Sequence, residues 1–424
     1  LRLPGDNPTS SAASLGFRAE VGHMTYHRIN FFFLNIGHFF DHMFVLIFAT
    51  VAALSLTTEW GMTYSELILY ATPGLVAFGA LAVPVGWLAD KWSRESMMAI
   101  FFIGIGASTA FTSLAETPLQ IGVGLLFIGI FAAIYHPVGI AMVVHGREKT
   151  GIPLAINGIF GNMGIAVAAL MAGLLIDTNG WRAAFVVPGL ISIGFGFAYI
   201  LFIRAGRAAR AAEVASGAAA KKAGAGTMTI DRTLIIRTFA IIFATTAIGG
   251  FIMRSTTFAL PKIFDERLTD IANSATLIGM YSFLVFAVAA FAQLAVGYLI
   301  DRYSIRIIFA VVAALQAIFF VIMVNLTGLP ALLISLGFML VVFGQIPIND
   351  VLVGRITRSE WRSRAYALRY VITFSVSATA IPLIAWIHAE WSFVILFIMM
   401  AIGAAGTFTV VFFLPNAIAK PKLS

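Results

Sequence analysis

The chain has 424 residues, of which 60% are hydrophobic and only 11% are charged, and its mean hydropathy is +0.96. Soluble globular proteins carry about a quarter charged residues, so this composition excludes that class and indicates a polytopic membrane protein. The net charge of +8 alone would suit a nucleic-acid-binding protein, but the placement of the basic residues, described below, argues against that partner. Because cysteine is absent, disulfides and thiolate metal sites are excluded as well.

Twelve apolar runs are each long enough to cross a bilayer as a helix. They cover residues 31–56, 65–88, 96–114, 119–144, 152–176, 183–203, 235–260, 273–299, 305–325, 330–353, 365–387 and 392–413. The longest polar stretch lies between the sixth and the seventh run. We therefore predict an all-α membrane protein with six-helix bundles over 31–203 and 235–414, a cytoplasmic linker over 204–234, and cytoplasmic end segments over 1–30 and 415–424.

The basic residues predict the orientation, because cytoplasmic loops carry an excess of Lys and Arg. With the N-terminus inside, 22 of the 27 Lys and Arg residues lie on the cytoplasmic side and 3 lie outside. The remaining two, Arg254 and Arg369, fall within spans. We therefore expect a multi-pass protein of the cell (inner) membrane with both termini in the cytoplasm. The positive charge then reflects topology and attraction to anionic membrane lipids, and no nucleic-acid partner is expected.

The first apolar run contains an acid and two imidazoles at mid-span, in the segment GHFFDH at residues 37–42. On a helix His38, Asp41 and His42 project from one face, because residues three and four apart are neighbours. An ionisable group at the bilayer centre costs about 2.5 to 3.5 kcal/mol, so this face is expected to point into a polar cavity. Hydrogen bonding between helices is the alternative role. Since imidazole changes its charge near neutral pH, we predict proton coupling through His38, Asp41 and His136.

Two loops, one in each half of the chain, carry the same charged pattern. The segments GWLADKWSR at 86–94 and GYLIDRYSIR at 297–306 begin 211 residues apart, half the length of the chain. Glycine allows two helices to approach closely, and an aspartate can accept hydrogen bonds from the start of the next helix and pair with the bases. These positions are therefore predicted to serve gating: Gly86, Asp90, Arg94, Gly297, Asp301 and Arg302.

The duplicated loop resembles the G-x-L-x-D-R/K signature of the major facilitator superfamily, and the segment GWRAAF at 180–185 is similar to the entry of that superfamily's sixth helix. More narrowly, HFFD at 38–41, YHPVG at 135–139 and TFALP at 257–261 resemble the fosmidomycin-resistance branch of proton-driven exporters. The resemblance implies two pseudo-symmetric six-helix bundles and secondary transport by alternating access. It implies no enzymatic activity, and the sequence contains no G-x-x-x-x-G-K-S/T loop that would indicate an ATPase.

Aligning the halves by this offset places His42 opposite Arg254, Pro137 near Pro347, and Asn157 near Arg369. Equivalent helices of such repeats line one central cavity. The predicted substrate-binding set is His42, Tyr135, His136, Asn157, Arg254, Arg369 and Tyr370. Pro137 and Pro347 are predicted to bend their helices during gating, because proline removes a helical hydrogen bond. Two alternatives stay open: an ion pair between Arg254 and Asp41, and an Arg369 side chain that extends to the membrane interface.

These features favour a secondary transporter for a small anionic or zwitterionic solute, coupled to protons, acting as a monomer without a cofactor. The alternative substrate is a transition-metal ion bound by His38, Asp41, His42 and His136, which offer suitable N and O ligands. Arg254 opposes this alternative because it would repel a cation, and otherwise no metal is expected. A third possibility, a receptor or a lipid-modifying enzyme, finds no nucleophile–base set in the sequence to support it.

Overall fold

A computed structural model describes residues 8–145, 147, 151–206, 232–356 and 359–415, with side chains described from Tyr26 onward except those of 232–236, 354–371 and 374. Within these residues the chain is all-helical and forms twelve long helices. They are α1 (Tyr26–Trp60, continuing back to Pro8), α2 (Tyr64–Lys91), α3 (Arg94–Thr112), α4 (Pro118–Val144), α5 (Gly151–Asn179), α6 (Trp181–Ala205), α7 (Arg232–Arg267), α8 (Ala275–Arg302), α9 (Ile305–Met323), α10 (Gly328–Val353), α11 (Ser359–Trp391) and α12 (Phe393–Val411).

Eleven of these helices are long and apolar enough to cross a membrane. The twelfth, α11, includes side chains outside the described set and occupies the predicted eleventh span. The predicted linker lies mostly at 207–231, also outside the described residues. The all-α prediction with twelve helices is thus confirmed.

The largest boundary differences concern α1, which continues back to Pro8 where the apolar run begins at residue 31, and α7, which ends at Arg267 where the run ends at residue 260. At its other end α1 reaches Trp60, beyond the predicted residue 56. A π-helical turn at Ala52–Leu56 continues α1 beyond the apolar run into polar residues. Hydropathy cannot predict this last part of the helix because its residues are not apolar. The chain turns at Gly61, whose backbone has a left-handed φ of 62° that glycine adopts without a steric penalty.

Each half is a six-helix bundle, and two pairs of helices form the most extensive contacts between the halves. In the first half α1 packs on α5 and α3 on α6; in the second half α9 packs on α12 and α7 on α11. The halves meet where α5 packs on α8 and α2 on α11. At the α5–α8 contact, Gly173 lies against the backbone of Ala275 and Gly279 against that of Ala169. Small residues allow this close approach, which is the usual basis of helix association in lipid.

The fourth helix of each half repeats the other in detail. The alternation of buried and partly exposed residues along 131–140 in α4 recurs position by position along 341–350 in α10. Both helices are interrupted there, α4 by a π-helical turn at Tyr135–Gly139 and α10 by a break at Gln345. Pro137 and Pro347 occupy the same place in the two repeats, 210 residues apart.

Polar contacts join the two halves at the end of the bundle where the α1–α2, α5–α6, α7–α8 and α11–α12 loops lie, called here the α1–α2 end. The Asp177 carboxylate of α5 accepts hydrogen bonds from Thr276 N (2.7 Å), Thr276 Oγ1 (2.6 Å) and Ala275 N (3.3 Å) at the start of α8. His388 of α11 lies 2.9 Å from Ser65 Oγ of α2 and 2.9 Å from Glu266 Oε1 of α7. These contacts hold the α1–α2 end closed.

Candidate functional site

Two imidazoles of α1 form a directed hydrogen-bond chain. His38 Nδ1 donates to the backbone carbonyl of Asn157 in α5 over 2.8 Å. Because a carbonyl oxygen only accepts, Nδ1 carries the hydrogen and the Nε2 of neutral His38 is an acceptor. His42 Nε2, 3.1 Å away, then donates to it. The chain from His42 through His38 to the Asn157 carbonyl gives both rings a defined tautomer.

A buried network of uncharged groups supports this pair. The Tyr135 hydroxyl of α4 donates to the Leu34 carbonyl over 2.7 Å, and Asn157 Nδ2 donates to the Tyr135 oxygen over 2.9 Å and to Asn35 Oδ1 over 2.9 Å. The His38 ring stacks on the Tyr135 ring with centroids 4.8 Å apart. Tyr135 and Asn157, predicted to bind substrate, therefore use their polar groups to hold α1, α4 and α5 together.

Asp41 lies next to His136 and is fully buried. Its Oδ2 atom is 3.3 Å from His136 Nε2 of α4, an ion-pairing distance, and neither carboxylate oxygen accepts a well-formed hydrogen bond from the described residues. A buried carboxylate without donors is costly unless it is protonated or neutralised by a nearby cation. The structure thus brings together the three residues predicted for proton coupling.

His38, His42 and His136 form one three-imidazole cluster. Their ring centroids are 4.9, 5.4 and 5.5 Å apart, and one nitrogen from each ring lies within 4.8 Å of the other two. Four ligands at zinc–nitrogen distances of about 2.0–2.1 Å stand about 3.4 Å from one another in a tetrahedral site. The His38–His42 spacing is already close to that value, so a modest approach of His136 would let the cluster hold a transition metal.

Arg254 projects from α7, a helix that packs on α1. Its side chain is partly exposed and makes no hydrogen bond or ion pair with another described residue. It interacts electrostatically with Asp41 and with His42. The structure therefore places Arg254 near the predicted partners, but it does not form the direct Asp41–Arg254 ion pair that was one of the two alternatives.

The first copy of the charged loop forms the contacts expected of it, with one difference. Arg94 pairs with Asp90 over 2.7 Å, and a Cβ on Gly86 would lie 3.1 Å from Pro137, so α2 and α4 approach closely there. The start of α3 is capped by Ser93, whose hydroxyl accepts from Ser96 N, and not by the aspartate as expected. Ser93 directly precedes the first helical residue, which is the position where a cap is effective.

The second copy of the loop differs from the first. A Cβ on Gly297 would meet no described residue within 4 Å, so this glycine makes no close approach to another helix in the described part of the chain. Arg302 lies over the Tyr298 ring at 3.4 Å and donates to the Tyr298 carbonyl, while Asp301 is exposed. The expectation that both glycines serve close packing is therefore wrong for Gly297.

Arg369 and Tyr370 were predicted to bind substrate, whereas Asp177 and His388 were not predicted to have a role. The side chains of Arg369 and Tyr370 lie outside the described residues. Asp177 and His388, which join the halves, were not among the predicted residues. Both are ionisable residues at the outer ends of predicted spans, and that position was the available signal.

Comparison with known proteins decides the family. A model described as the Major Facilitator Superfamily matches residues 34–285 and 246–424. The chain belongs to the major facilitator superfamily. The predicted superfamily and the predicted multi-pass membrane class are thereby confirmed, and this superfamily is one of transporters, not enzymes.

Several curated relatives resemble parts of this superfamily member. The probable sulfoacetate transporter SauU of Cupriavidus necator is 26% identical over 157 residues, 37% of this chain and 36% of that protein. The nitrite extrusion protein of Bacillus subtilis is 23% identical over 164 residues, 38% and 40% of the two chains. A probable hexose phosphate transport protein of Chlamydia trachomatis is 28% identical over 156 residues, 36% and 34%. The matches thus span about a third to two-fifths of each relative.

Solved structures share the fold over nearly the whole chain. A bacterial homolog of the human lysosomal transporter Spinster, in an inward-facing and occupied conformation, has a TM-score of 0.68 at 15% identity, covering 93% of this chain and 96% of that one. A D-xylose–proton symporter has a TM-score of 0.68 at 14% identity, covering 92% and 98%. At these identities the likeness establishes the two-bundle fold alone.

Proposed function

We propose that this transporter moves a small anionic or zwitterionic solute across the cell membrane by alternating access, coupled to protons. The observation that carries the proposal is Arg254, a cation within the seventh membrane-spanning helix that forms no hydrogen bond or ion pair with another described residue. Such a group requires compensating negative charge, and the guanidinium geometry suits carboxylate, sulfonate and phosphate oxygens. The names of the relatives, which mention sulfoacetate, nitrite and hexose phosphate, support an anion.

Proton coupling follows from the groups that Arg254 faces. Arg254 interacts electrostatically with Asp41 and with His42, so its positive charge couples the binding of an anion to the binding of a proton near these groups. An anion bound to Arg254 would cancel that charge and so favour proton uptake. By linkage, proton uptake would raise the affinity for the anion by the same factor. The His42–His38 chain and the neighbouring His136 provide further proton acceptors at the same place.

The test is uptake of sulfoacetate, nitrite and glucose 6-phosphate by proteoliposomes under an imposed pH gradient. We expect Arg254→Ala to abolish uptake of the transported anion, while Arg204→Ala, at an exposed position in the last turn of α6, has no effect. Asp41→Asn is expected to transport at a rate that no longer follows the gradient. Full uptake by Arg254→Ala would refute the anion site, and a gradient response in Asp41→Asn equal to that of the unaltered chain would refute the coupling.

We also propose that the chain groups with the fosmidomycin-resistance branch, on the residues quoted for that resemblance. Fosmidomycin is a phosphonate, in keeping with an oxyanion site at Arg254. Expression of the chain in a fosmidomycin-sensitive bacterium should then raise the resistance, and Arg254→Ala should remove the gain. Unchanged sensitivity at confirmed expression would count against this grouping.

The orientation and the monomeric state are proposals as well. Placing both termini in the cytoplasm puts the α1–α2 end outside. Alkaline phosphatase fused after Asn179 should be active and the same fusion after Gly206 inactive; the reverse pattern would invert the topology. Mass photometry of the purified transporter should give one chain per particle.

Transition-metal transport is a second candidate, favoured by the three-imidazole cluster. Arg254 opposes it, since a dication bound there would be repelled by the guanidinium. Calorimetric titration with Zn²⁺, with His38→Ala as the comparison, separates the candidates. Zn²⁺ binding and proteoliposome uptake that are both lost in His38→Ala would favour the metal as substrate. Anion uptake that is unaffected by chelation of Zn²⁺ would favour the anion.

A further inference from the structure

Gln345 and Asn349 of α10 occupy the places that Tyr135 and Gly139 occupy in α4. The two segments share their pattern of burial and the helix interruption described above. Each also packs against a glycine of the first helix of its own half. A Cβ on Gly37 of α1 would lie 2.9 Å from the Tyr135 ring, and a Cβ on Gly249 of α7 would lie 2.7 Å from Gln345 Nε2.

The two equivalent sites differ in how their polar groups are used. The Tyr135 hydroxyl is bonded within the first half, and its ring covers Gly139, where a Cβ would lie 2.6 Å from that ring. In the second half the equivalent space holds two amides, one helical turn apart. The first half therefore closes this place with internal bonds, whereas the second half lines it with polar groups.

The hydrogen-bond assignment of Gln345 is determined by its neighbour. Gln316 Nε2 of α9 donates to the Val341 carbonyl over 3.2 Å and to Gln345 Oε1 over 2.7 Å. Because the Val341 carbonyl only accepts, the Gln316 atom must be nitrogen, and the Gln345 atom that it contacts must be oxygen. Gln345 Nε2 is thereby turned toward Gly249 on α7, the helix that carries Arg254.

Gln345 Nε2 and Asn349 Oδ1 have no hydrogen-bond partner among the described residues, although each side chain is only 5% exposed. Buried amide groups are normally bonded, and leaving them unpaired is costly. Four residues of helix separate the two positions by about 6 Å along the axis. The second half thus presents an unpaired hydrogen-bond donor and an unpaired acceptor on side chains one helical turn apart.

We propose that Gln345 and Asn349 form a subsite for a hydroxyl group of the solute whose anionic group is held by Arg254. A hydroxyl oxygen would accept from Gln345 Nε2, and its hydrogen would be donated to Asn349 Oδ1. This inference rests on the proposed anion transport and narrows it. The solute is a small oxyanion that also carries a hydroxyl. A simple inorganic anion would bind Arg254 but would have no hydroxyl for Gln345 and Asn349 to bind.

The test uses two matched pairs of anions that differ in their hydroxyls: 2-hydroxyethanesulfonate with ethanesulfonate, and glycerol 3-phosphate with propyl phosphate. Binding to the purified full chain is measured by calorimetry. We expect the hydroxylated member of at least one pair to bind about tenfold more tightly, the effect of one to two hydrogen bonds. Asn349→Leu should reduce this preference to within about twofold. Thr407→Val, which alters a buried hydroxyl without a described partner on α12, should keep it.

The outcomes separate the subsite from the proposed function. Loss of both members of a pair in Arg254→Ala, with the preference for the hydroxyl intact in Asn349→Leu, would overturn the subsite and leave anion transport standing. No binding of any of the four anions to the unaltered chain would overturn both. If Asn349→Leu is not monodisperse after purification, Gln345→Met makes the same test, and a preserved preference in that variant would equally overturn the subsite.

Discussion

The bond between Asp177 and the start of α8 should control how long the α1–α2 end stays closed. Asp177→Ala removes three hydrogen bonds to Ala275 and Thr276. Hydrogen bonds to a charged group contribute roughly 1.5–3 kcal/mol when buried. Because Asp177 is exposed to solvent, we discount the whole contribution to about 1–2 kcal/mol. The closed population should therefore fall by about five- to thirtyfold relative to conformations in which this end is open.

The absence of cysteine makes this change directly measurable. Asn179→Cys and Leu329→Cys place spin labels at exposed positions of this end, one in each half. Pulsed electron–electron double resonance then measures the distance between the two labels. We expect the distance distribution of Asp177→Ala to shift toward longer separations. Asp265→Ala is the matched control, because its carboxylate pairs with Lys262 in the same helix over 2.6 Å and forms no hydrogen bond or ion pair with another helix in the described part of the chain.

An unchanged distance distribution in Asp177→Ala, or an equal shift in the Asp265→Ala control, would refute the role of the Asp177 hydrogen bonds in keeping this end closed. The first result would mean that glycine packing between α5 and α8 holds this end closed without the polar bridge. The second would mean that any loss of negative charge at this end opens it.

Substitution by alanine should have different effects on stability at two glycines of α6. Gly189→Ala should lower the melting temperature in a thermal-shift assay, since its Cβ would lie 2.6 Å from the Gly106 carbonyl. Gly194→Ala, whose Cβ meets no described residue within 4 Å, should be neutral or stabilise by about 0.5–1 kcal/mol. Equal effects would contradict the close packing of α3 and α6. Tyr135→Phe should destabilise the first half by about 0.6–1.7 kcal/mol through loss of the bond to the Leu34 carbonyl, measured by unfolding in mixed micelles.

Tyr281→Phe is the control for the tyrosine prediction. Its hydroxyl also donates to a carbonyl, that of Ile271, but over 3.3 Å and in the second half. A loss of stability in Tyr281→Phe as large as that in Tyr135→Phe would show that the buried network around His38 contributes no more to stability than a single hydrogen bond elsewhere.

The sequence by itself determined the spans, the two halves and the family. Hydropathy is a local property, since it depends only on the side chains of the segment itself, and the eleven candidate spans accordingly begin and end within seven residues of the apolar runs. The two halves could also be identified, because similar loop segments occur in each half of the chain, at 86–94 and 297–306. Spacing on one helix also identified the shared face of His38, Asp41 and His42.

Only the tertiary structure decided which of these groups touch. The rotation and tilt of each helix shift side chains by several ångströms, and hydrogen bonds depend on distances finer than that. For this reason the sequence could not place Asp41 against His136 rather than Arg254. Nor could it show that Tyr135 is bonded internally while its counterpart Gln345 leaves an amide unpaired, or that His388 and Asp177 join the halves. Those contacts arise from packing between helices that are distant in the chain, so the sequence of a single helix cannot predict them.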